Sequence, residues 1–134
     1  MGQIEGSNGA IRVVLADDDP AFVESLRPLI DHQPELAVVG TAHDGMETIE
    51  AVDELVPDAV VIDLHMPRLD GVTAVARLRQ DHPSICLIAL TGDTAPELHR
   101  AVVEAGADAV LLKDEFVDAL FERLAAIRTT ARTN

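Results

Sequence analysis

Residues 11–20 read Ile11-Arg12-Val13-Val14-Leu15-Ala16-Asp17-Asp18-Asp19-Pro20. An apolar run breaks into a series of carboxylates and then a proline. Apart from Arg12, the run Ile11–Ala16 does not alternate with polar residues, which suits a strand covered on both faces, as in a parallel sheet. Asp19-Pro20 has the form of a helix N-cap followed by proline in the first turn, so this strand is predicted to feed a helix directly. The same unit repeats outward along the chain. Apolar runs at Leu36–Gly40, Ala59–Leu64, Ile85–Leu90 and Ala109–Leu112 predict the further strands. Between and after them lie segments with helical spacing. Ala21–Asp31 aligns Phe22, Leu26, Leu29 and Ile30; Gly45–Leu55 aligns Met46, Ile49, Val52 and Leu55; Val72–Gln80 aligns Val72, Val75, Ala76 and Leu78. Pro96–Ala105 aligns Leu98, Ala101, Val102 and Ala105, and Phe116–Arg128 aligns Val117, Leu120, Leu124 and Ile127. Asp44 with Glu47 and Thr94 with Glu97 have capping-box spacing. Gly106 stands where a C-cap residue belongs, and His82-Pro83 closes the third helix. The pattern is a (βα) unit repeated through the chain, an α/β fold built as a three-layer α/β/α sandwich.

The chain has 134 residues, 48% hydrophobic and 25% charged, the balance of one globular domain with a sizeable core. Met1–Ala10 reads as a flexible lead-in without the cationic apolar pattern of a signal peptide, Ile11–Arg128 as the domain, and 129–134 as a tail or the start of a linker. With 24 Asp+Glu against 10 Lys+Arg, the formal net charge is −14, which argues against direct nucleic-acid or anionic-membrane binding by this domain. The apolar runs are far short of a membrane span. The single cysteine, Cys86, cannot form an internal disulfide and fits a reducing cytoplasm. Among the basic residues nine are Arg and one is Lys, Lys113.

In an open parallel sheet, ligands sit beyond the carboxyl ends of the strands, where the winding changes direction. The sequence places Asp17, Asp18 and Asp19 after the first strand, Asp63 at the end of the third, Thr91 after the fourth and Lys113 after the fifth. A parallel strand order of 2-1-3-4-5, as in flavodoxin-like folds, sets Asp17 and Asp18 against Asp63. At about 4 Å and an effective dielectric of about 20, one like-charge pair costs about 4 kcal/mol. A raised pKa or a cation must offset that repulsion. Oxygen-only ligands suit a hard divalent ion, Mg²⁺ above all. Lys113 lies two strands from Asp63, about 10 Å at the usual spacing, a gap that a lysine stem can largely cross over Thr91. A carboxylate flanked by a metal, an ammonium and a hydroxyl is arranged to take a phosphoryl group. Each residue also has a plainer reading: acidic turns follow many strands, Asp19 suits a helix cap, and Lys113 could snorkel from a strand end.

Four segments together resemble a bacterial two-component response-regulator receiver domain, with its CheY-like fold. They are Val13–Pro20, Val60–Gly71 (Val-Val-Ile-Asp-Leu-His-Met-Pro-Arg-Leu-Asp-Gly), Ala89–Gly92 (Ala-Leu-Thr-Gly) and Gly106–Asp114 (Gly-Ala-Asp-Ala-Val-Leu-Leu-Lys-Asp). The Leu-Leu-Lys-Asp ending is similar to the NarL/FixJ-type branch. The resemblance implies that Asp63 is the phosphoacceptor and that Asp17 and Asp18 hold Mg²⁺, Asp18 directly and Asp17 through water. It implies the backbone carbonyl of His65 as a further metal ligand, and Thr91 and Lys113 as the residues that contact and sense the phosphoryl group. Asp63 itself completes the metal set. The implied partner is a sensor histidine kinase, the implied localisation cytoplasmic, and the implied role that of a signalling phosphoacceptor, not an enzyme. Relatives of this branch carry a C-terminal helix-turn-helix DNA-binding domain, absent from this chain, and homodimerise on phosphorylation.

One position departs from the family pattern. Many receivers place Tyr or Phe three residues before the lysine, and here that residue is Val110. Switching of the face formed by the fourth helix, fifth strand and fifth helix is therefore expected to be shallow. Val110 also keeps open a receiver-like interaction module that works without phosphorylation. Asp17-x-Asp19 after an apolar strand resembles the start of a haloacid-dehalogenase-type phosphatase. That family expects a hydroxyl residue shortly after its second Asp, where this chain has Pro20-Ala21-Phe22. A flavodoxin-like FMN carrier is disfavoured, because the carboxylates after the first strand would repel a phosphate.

Overall fold

The computed structural model describes residues 10–133; the lead-in at 1–9 and Asn134 lie outside the described residues. Strands β1 (Ile11–Ala16), β2 (Leu36–Ala42), β3 (Ala59–Asp63), β4 (Cys86–Thr91) and β5 (Ala109–Leu112) alternate with helices α1 (Pro20–Asp31), α2 (Gly45–Leu55), α3 (Gly71–Asp81), α4 (Pro96–Ala105) and α5 (Val117–Thr133). The strands form one sheet in the order β2-β1-β3-β4-β5, and every pairing is parallel. This is the CheY-like α/β/α sandwich. Helix α5 reaches Thr133, past the Arg128 where its apolar spacing stops.

The continuous apolar runs are explained by cores on both faces of the sheet. On one face, Ile49 and Val52 of α2, Ala74, Val75 and Leu78 of α3 and Val102 of α4 cover Val60, Ile62, Leu87 and Ala89. On the other, Val23, Leu26 and Ile30 of α1 and Phe116, Leu120 and Leu124 at α5 cover Val13, Leu15, Val61, Ile88 and Leu90. The winding thus reverses between β1 and β3, which brings the ends of those strands together.

The helical stripes are narrower than their spacing suggests. Leu29 is 47% exposed and Val23 takes its place against the sheet, while Ala76, Ala101 and Val117 also face solvent. A helix lying on a flat sheet buries only the residues along its line of contact, and small or terminal members of the stripe fall outside it.

Capping largely follows the sequence. Asp19 accepts from the Ala21 N–H at 3.0 Å with Pro20 next in line. Asp44 accepts from the Glu47 N–H at 2.8 Å, and Glu47 reaches back to the His43 N–H at 2.7 Å. Asp70 caps α3 by accepting from the Thr73 N–H at 3.0 Å. At α4 the expectation fails: Thr94 is not the cap, because the helix begins at Pro96 and Ala95 occupies the N-cap position with no side-chain cap bond. Proline at the first helical position fixes the entry by its own φ and shifts the cap one residue past Thr94. The turn before it is tied by Asp93, whose carboxylate accepts from the Ala95 N–H at 2.9 Å.

Two arginines brace the opposite end of the sheet. Arg12 donates to the carbonyls of Leu55 at 2.8 Å and Val56 at 3.0 Å, closing α2 at Val56, whose φ of 45° is left-handed. Arg79 donates to the carbonyls of Gly106 (3.0 Å), Pro83 (2.7 Å) and Ile85 (2.9 Å) and pairs with Asp108 at 2.8 Å. Gly106, at φ 126°, lies so close that a Cβ there would sit 2.6 Å from Arg79 Cγ.

Candidate functional site

The ends of β1, β3, β4 and β5 converge on one patch at the carboxyl edge of the sheet. Asp17 continues β1, its N–H donating to the Ala42 carbonyl at 3.0 Å. Its Oδ1 accepts from the Asp19 N–H at 2.9 Å, so the chain turns sharply and leaves Asp18 exposed at the rim. Asp63 ends β3 beside Leu90, and its Oδ1 accepts from the His65 N–H at 3.3 Å. Asp17, Asp63 and Thr91 are buried, at 2%, 4% and 0% exposure. Asp17, Asp18 and Asp63 each offer a carboxylate oxygen, and these atoms lie within 4.8 Å of one another.

Lys113 follows β5, its N–H donating to the Thr91 carbonyl at 2.9 Å. Its ammonium crosses the sheet edge and stands 2.7 Å from Asp17 Oδ2 and 3.7 Å from Asp63 Oδ2. The stem therefore spans the gap that the sequence implied, but the ammonium rests chiefly on Asp17 rather than on Asp63. The contact is a close ion pair on a buried carboxylate oxygen that has no other protein donor. The ammonium also lies 4.4 Å from the centroid of the Phe22 ring, which in turn packs on Phe116 at 5.7 Å between centroids. That cation–π contact gives α1 a part in the site.

Thr91 joins the cluster from the other side. Its Oγ1 accepts from the Asp93 N–H at 3.0 Å and lies 3.3 Å from Nε2 of His65. The imidazole contact was not legible in the sequence, where the resemblance implies a role for the backbone carbonyl of His65 alone. Val110 pairs with Ala89, is half-buried, and packs against the core beneath α3 and α4.

The charges settle unevenly. Burial raises the Asp63 pKa above the ordinary carboxylate value, and the Asp17 charge adds to this, against the His65 N–H and the Lys113 charge. Burial by itself would lower the Lys113 pKa, but the contact with Asp17 and the charges of Asp63, Asp17 and Asp19 outweigh it and raise it. Cys86 sits away from this edge, its thiol pushed up to about 11 by burial. The three carboxylates fit a hard cation: the oxygens are close, their repulsion is only partly answered by Lys113, and the buried Asp17 Oδ2 has an unused lone pair.

The raised Asp63 pKa has a consequence for stability. The folded protein holds that proton more tightly than the unfolded chain, so the contribution is full below the unfolded value of 3.8 and is lost as pH rises through the folded value. At neutral pH the ionised carboxylate opposes folding. Asp63→Asn is therefore expected to stabilise the metal-free protein at pH 7 by about 1–2 kcal/mol, less than the repulsion of one close pair because attraction to Lys113 is lost as well. The gain should shrink as pH falls toward 4. Denaturant titrations at pH 7 and 4.5 check this; an unchanged or reduced midpoint at pH 7 contradicts it.

A doubly wound sheet with carboxylates, a buried hydroxyl and a lysine at its switch point defines a CheY-like α/β module. The response regulator receiver domain family matches residues 13–125. The transcriptional regulatory protein DegU of Brevibacillus brevis is 31% identical over 117 residues, covering 87% of this chain and 50% of DegU. A LuxR-family two-component response regulator from Aurantimonas sp. SI85-9A1 superposes with a TM-score of 0.79 at 32% identity, over 87% of this chain and 86% of that one. The isolated REC domain of RcsB from Salmonella enterica serovar Typhimurium, solved in the presence of the phosphomimetic BeF3−, gives 0.81 at 27% identity over 90% and 89%. The chain belongs to the response regulator receiver domain family. It spans about half the length of the curated transcriptional regulators it matches. Among the described residues no helix is long and apolar enough to cross a membrane.

Proposed function

We propose that this domain accepts a phosphoryl group on Asp63 from a sensor histidine kinase in the cytoplasm, in a Mg²⁺-dependent transfer, and relays that event through α4, β5 and α5. An Asp63 carboxylate oxygen attacks the phosphorus; the phosphorus–nitrogen bond of the donor imidazole breaks, its electron pair stays on the nitrogen, and an acyl phosphate forms. Asp18 and Asp63 would hold Mg²⁺ directly, Asp17 through water and His65 through its backbone carbonyl, and the ion would neutralise charge on the transferring oxygens. Lys113 is close enough to leave Asp17 for the phosphoryl oxygens, and the Thr91 hydroxyl supplies a charge-assisted hydrogen bond to one of them. The domain is a signalling phosphoacceptor that assists its own modification rather than an enzyme acting on a separate substrate. Its output would pass to a C-terminal helix-turn-helix DNA-binding domain, with homodimerisation on phosphorylation.

The observation that carries this reading is the convergence of Asp17, Asp18 and Asp63 within 4.8 Å, with Lys113 between two of them. Intact-mass measurement after treatment with acetyl phosphate and Mg²⁺ tests it. Wild type should gain one phosphoryl group, Asp63→Asn none, and Asp18→Asn should need far more Mg²⁺. An unmodified wild-type chain would instead favour a receiver-like interaction module that works without phosphorylation.

A further inference from the structure

Among the described residues, His65 is the one residue whose hydrogen bonds reach the side chains of both Asp63 and Thr91. Its backbone N–H donates to Asp63 Oδ1 at 3.3 Å, and its Nε2 lies 3.3 Å from Thr91 Oγ1. Thr91 is fully buried while His65 is exposed, so the ring closes over the hydroxyl from the solvent side. A threonine hydroxyl has one hydrogen and two lone pairs. The Asp93 N–H occupies one lone pair at 3.0 Å. His65 takes another position, as donor or acceptor according to its tautomer; with Nε2 accepting, the hydroxyl's single hydrogen is committed to the ring and must leave it to bond an oxygen on Asp63.

We propose that His65 is a positioning residue that latches Thr91 in the unphosphorylated domain and must release it for the switch to occur. The inference rests on the receiver reading above. A phosphoryl group on Asp63 offers charged acceptors for the Thr91 hydroxyl, stronger than an uncharged ring nitrogen. The same event changes the acceptor of the His65 N–H, so one residue is addressed at both of its bonds. Val110 has no ring to swing, and the half-buried valine stays packed on the core. The imidazole on the other side of Thr91 is the large group free to move. In this arrangement the switch is opposed by a side-chain hydrogen bond at the mouth of the site rather than reported by a ring behind it.

The test compares wild type, His65→Leu and His65→Gln as full chains, titrated with beryllofluoride in Mg²⁺ while the amide resonances of Thr91 and Asp93 are followed. All three keep the backbone carbonyl and N–H of residue 65. His65→Leu cannot hold the hydroxyl and should bind the mimic about fivefold more tightly, the factor an ordinary net hydrogen bond supplies. Its Asp93 amide, before any mimic is added, should already be shifted toward the bound position. His65→Gln can reach Thr91 with its side-chain amide and should return toward wild type in both readouts. Equal affinities and an unmoved Asp93 amide overturn the latch, as does a change confined to the decay rate of the phosphoryl group, which would place His65 on the hydrolytic water alone. Failure of wild type itself to bind beryllofluoride overturns the receiver reading and the latch together.

Discussion

Lys113→Met is expected to destabilise the protein by about 3 kcal/mol in metal-free buffer, the cost of removing one partner from a largely buried ion pair. The ammonium is 2.7 Å from Asp17 Oδ2 and 3.7 Å from Asp63 Oδ2, and the Asp17 side chain is only 4% exposed. Without it, buried Asp17 faces Asp63 and Asp18 with no countercharge nearby on β5. Added Mg²⁺ should narrow the gap to wild type, since a divalent ion answers the same carboxylates, and the variant should bind Mg²⁺ more tightly. Thermal melts in chelator and in millimolar Mg²⁺ measure both effects. A loss below about 1 kcal/mol, or a gap indifferent to Mg²⁺, would show that Asp17 is well solvated after all. Lys113→Arg should keep the charge yet fail to phosphorylate and switch normally. A planar guanidinium stacks flat on an aromatic face, and the Phe22 ring 4.4 Å from Nζ offers one that draws the fork away from Asp63.

Gly71→Ala should cost about 3 kcal/mol, at the upper end of overpacking penalties. A Cβ at this position would stand 2.5 Å from Leu64 Cα and 2.8 Å from the Leu64 carbonyl oxygen. Both are backbone atoms of the residue after Asp63, so no rotamer change relieves the clash. The loop must move, and with it the Asp63 carboxylate and the His65 N–H that contacts it. Gly92→Ala is the control, because a Cβ there meets nothing within 4 Å. It should fall within about 0.5 kcal/mol of wild type. Equal denaturation midpoints for Gly71→Ala and wild type would mean that the α3 entry yields freely.

The alternation of strands and helices and the strand ends at which the polar residues gather were legible in the sequence because both follow from period and punctuation, whereas the strand order came from the likeness to flavodoxin-like folds. Continuous Val-Val-Leu and Val-Val-Ile runs can only be covered on both faces, and Asp17, Asp63 and Lys113 each directly follow such a run or lie one residue beyond it. Contacts between elements far apart in the chain were not legible. Nothing in the spacing of Phe22 and Lys113, or of His65 and Thr91, shows that they meet; each contact depends on how a helix or loop lies over the sheet edge. The resting place of the ammonium, 2.7 Å from Asp17 and 3.7 Å from Asp63, is likewise set by side-chain packing in a crowded site. Arg79 carried no motif either, since its partners are mainly backbone carbonyls, which any sequence supplies.

The two ends of α4 are held very differently. Its C-terminus runs into Gly106, packed on the Arg79 side chain and bonded to its Nε, whereas its N-terminus begins at Ala95 and Pro96 without a side-chain cap. The N-terminal end lies just downstream of Thr91 and is tied to Asp93, whose carboxylate accepts from the Ala95 N–H at 2.9 Å and whose carbonyl lies 2.7 Å from Nε2 of His99. A displacement at Thr91 would therefore reach α4 first through Asp93, bonded to the Thr91 hydroxyl by its own N–H, and the Arg79 contact would hold the far end of the helix against it. How far the outer surface of α4 could then travel would be set in part by Arg79, at the end of the sheet remote from Asp63.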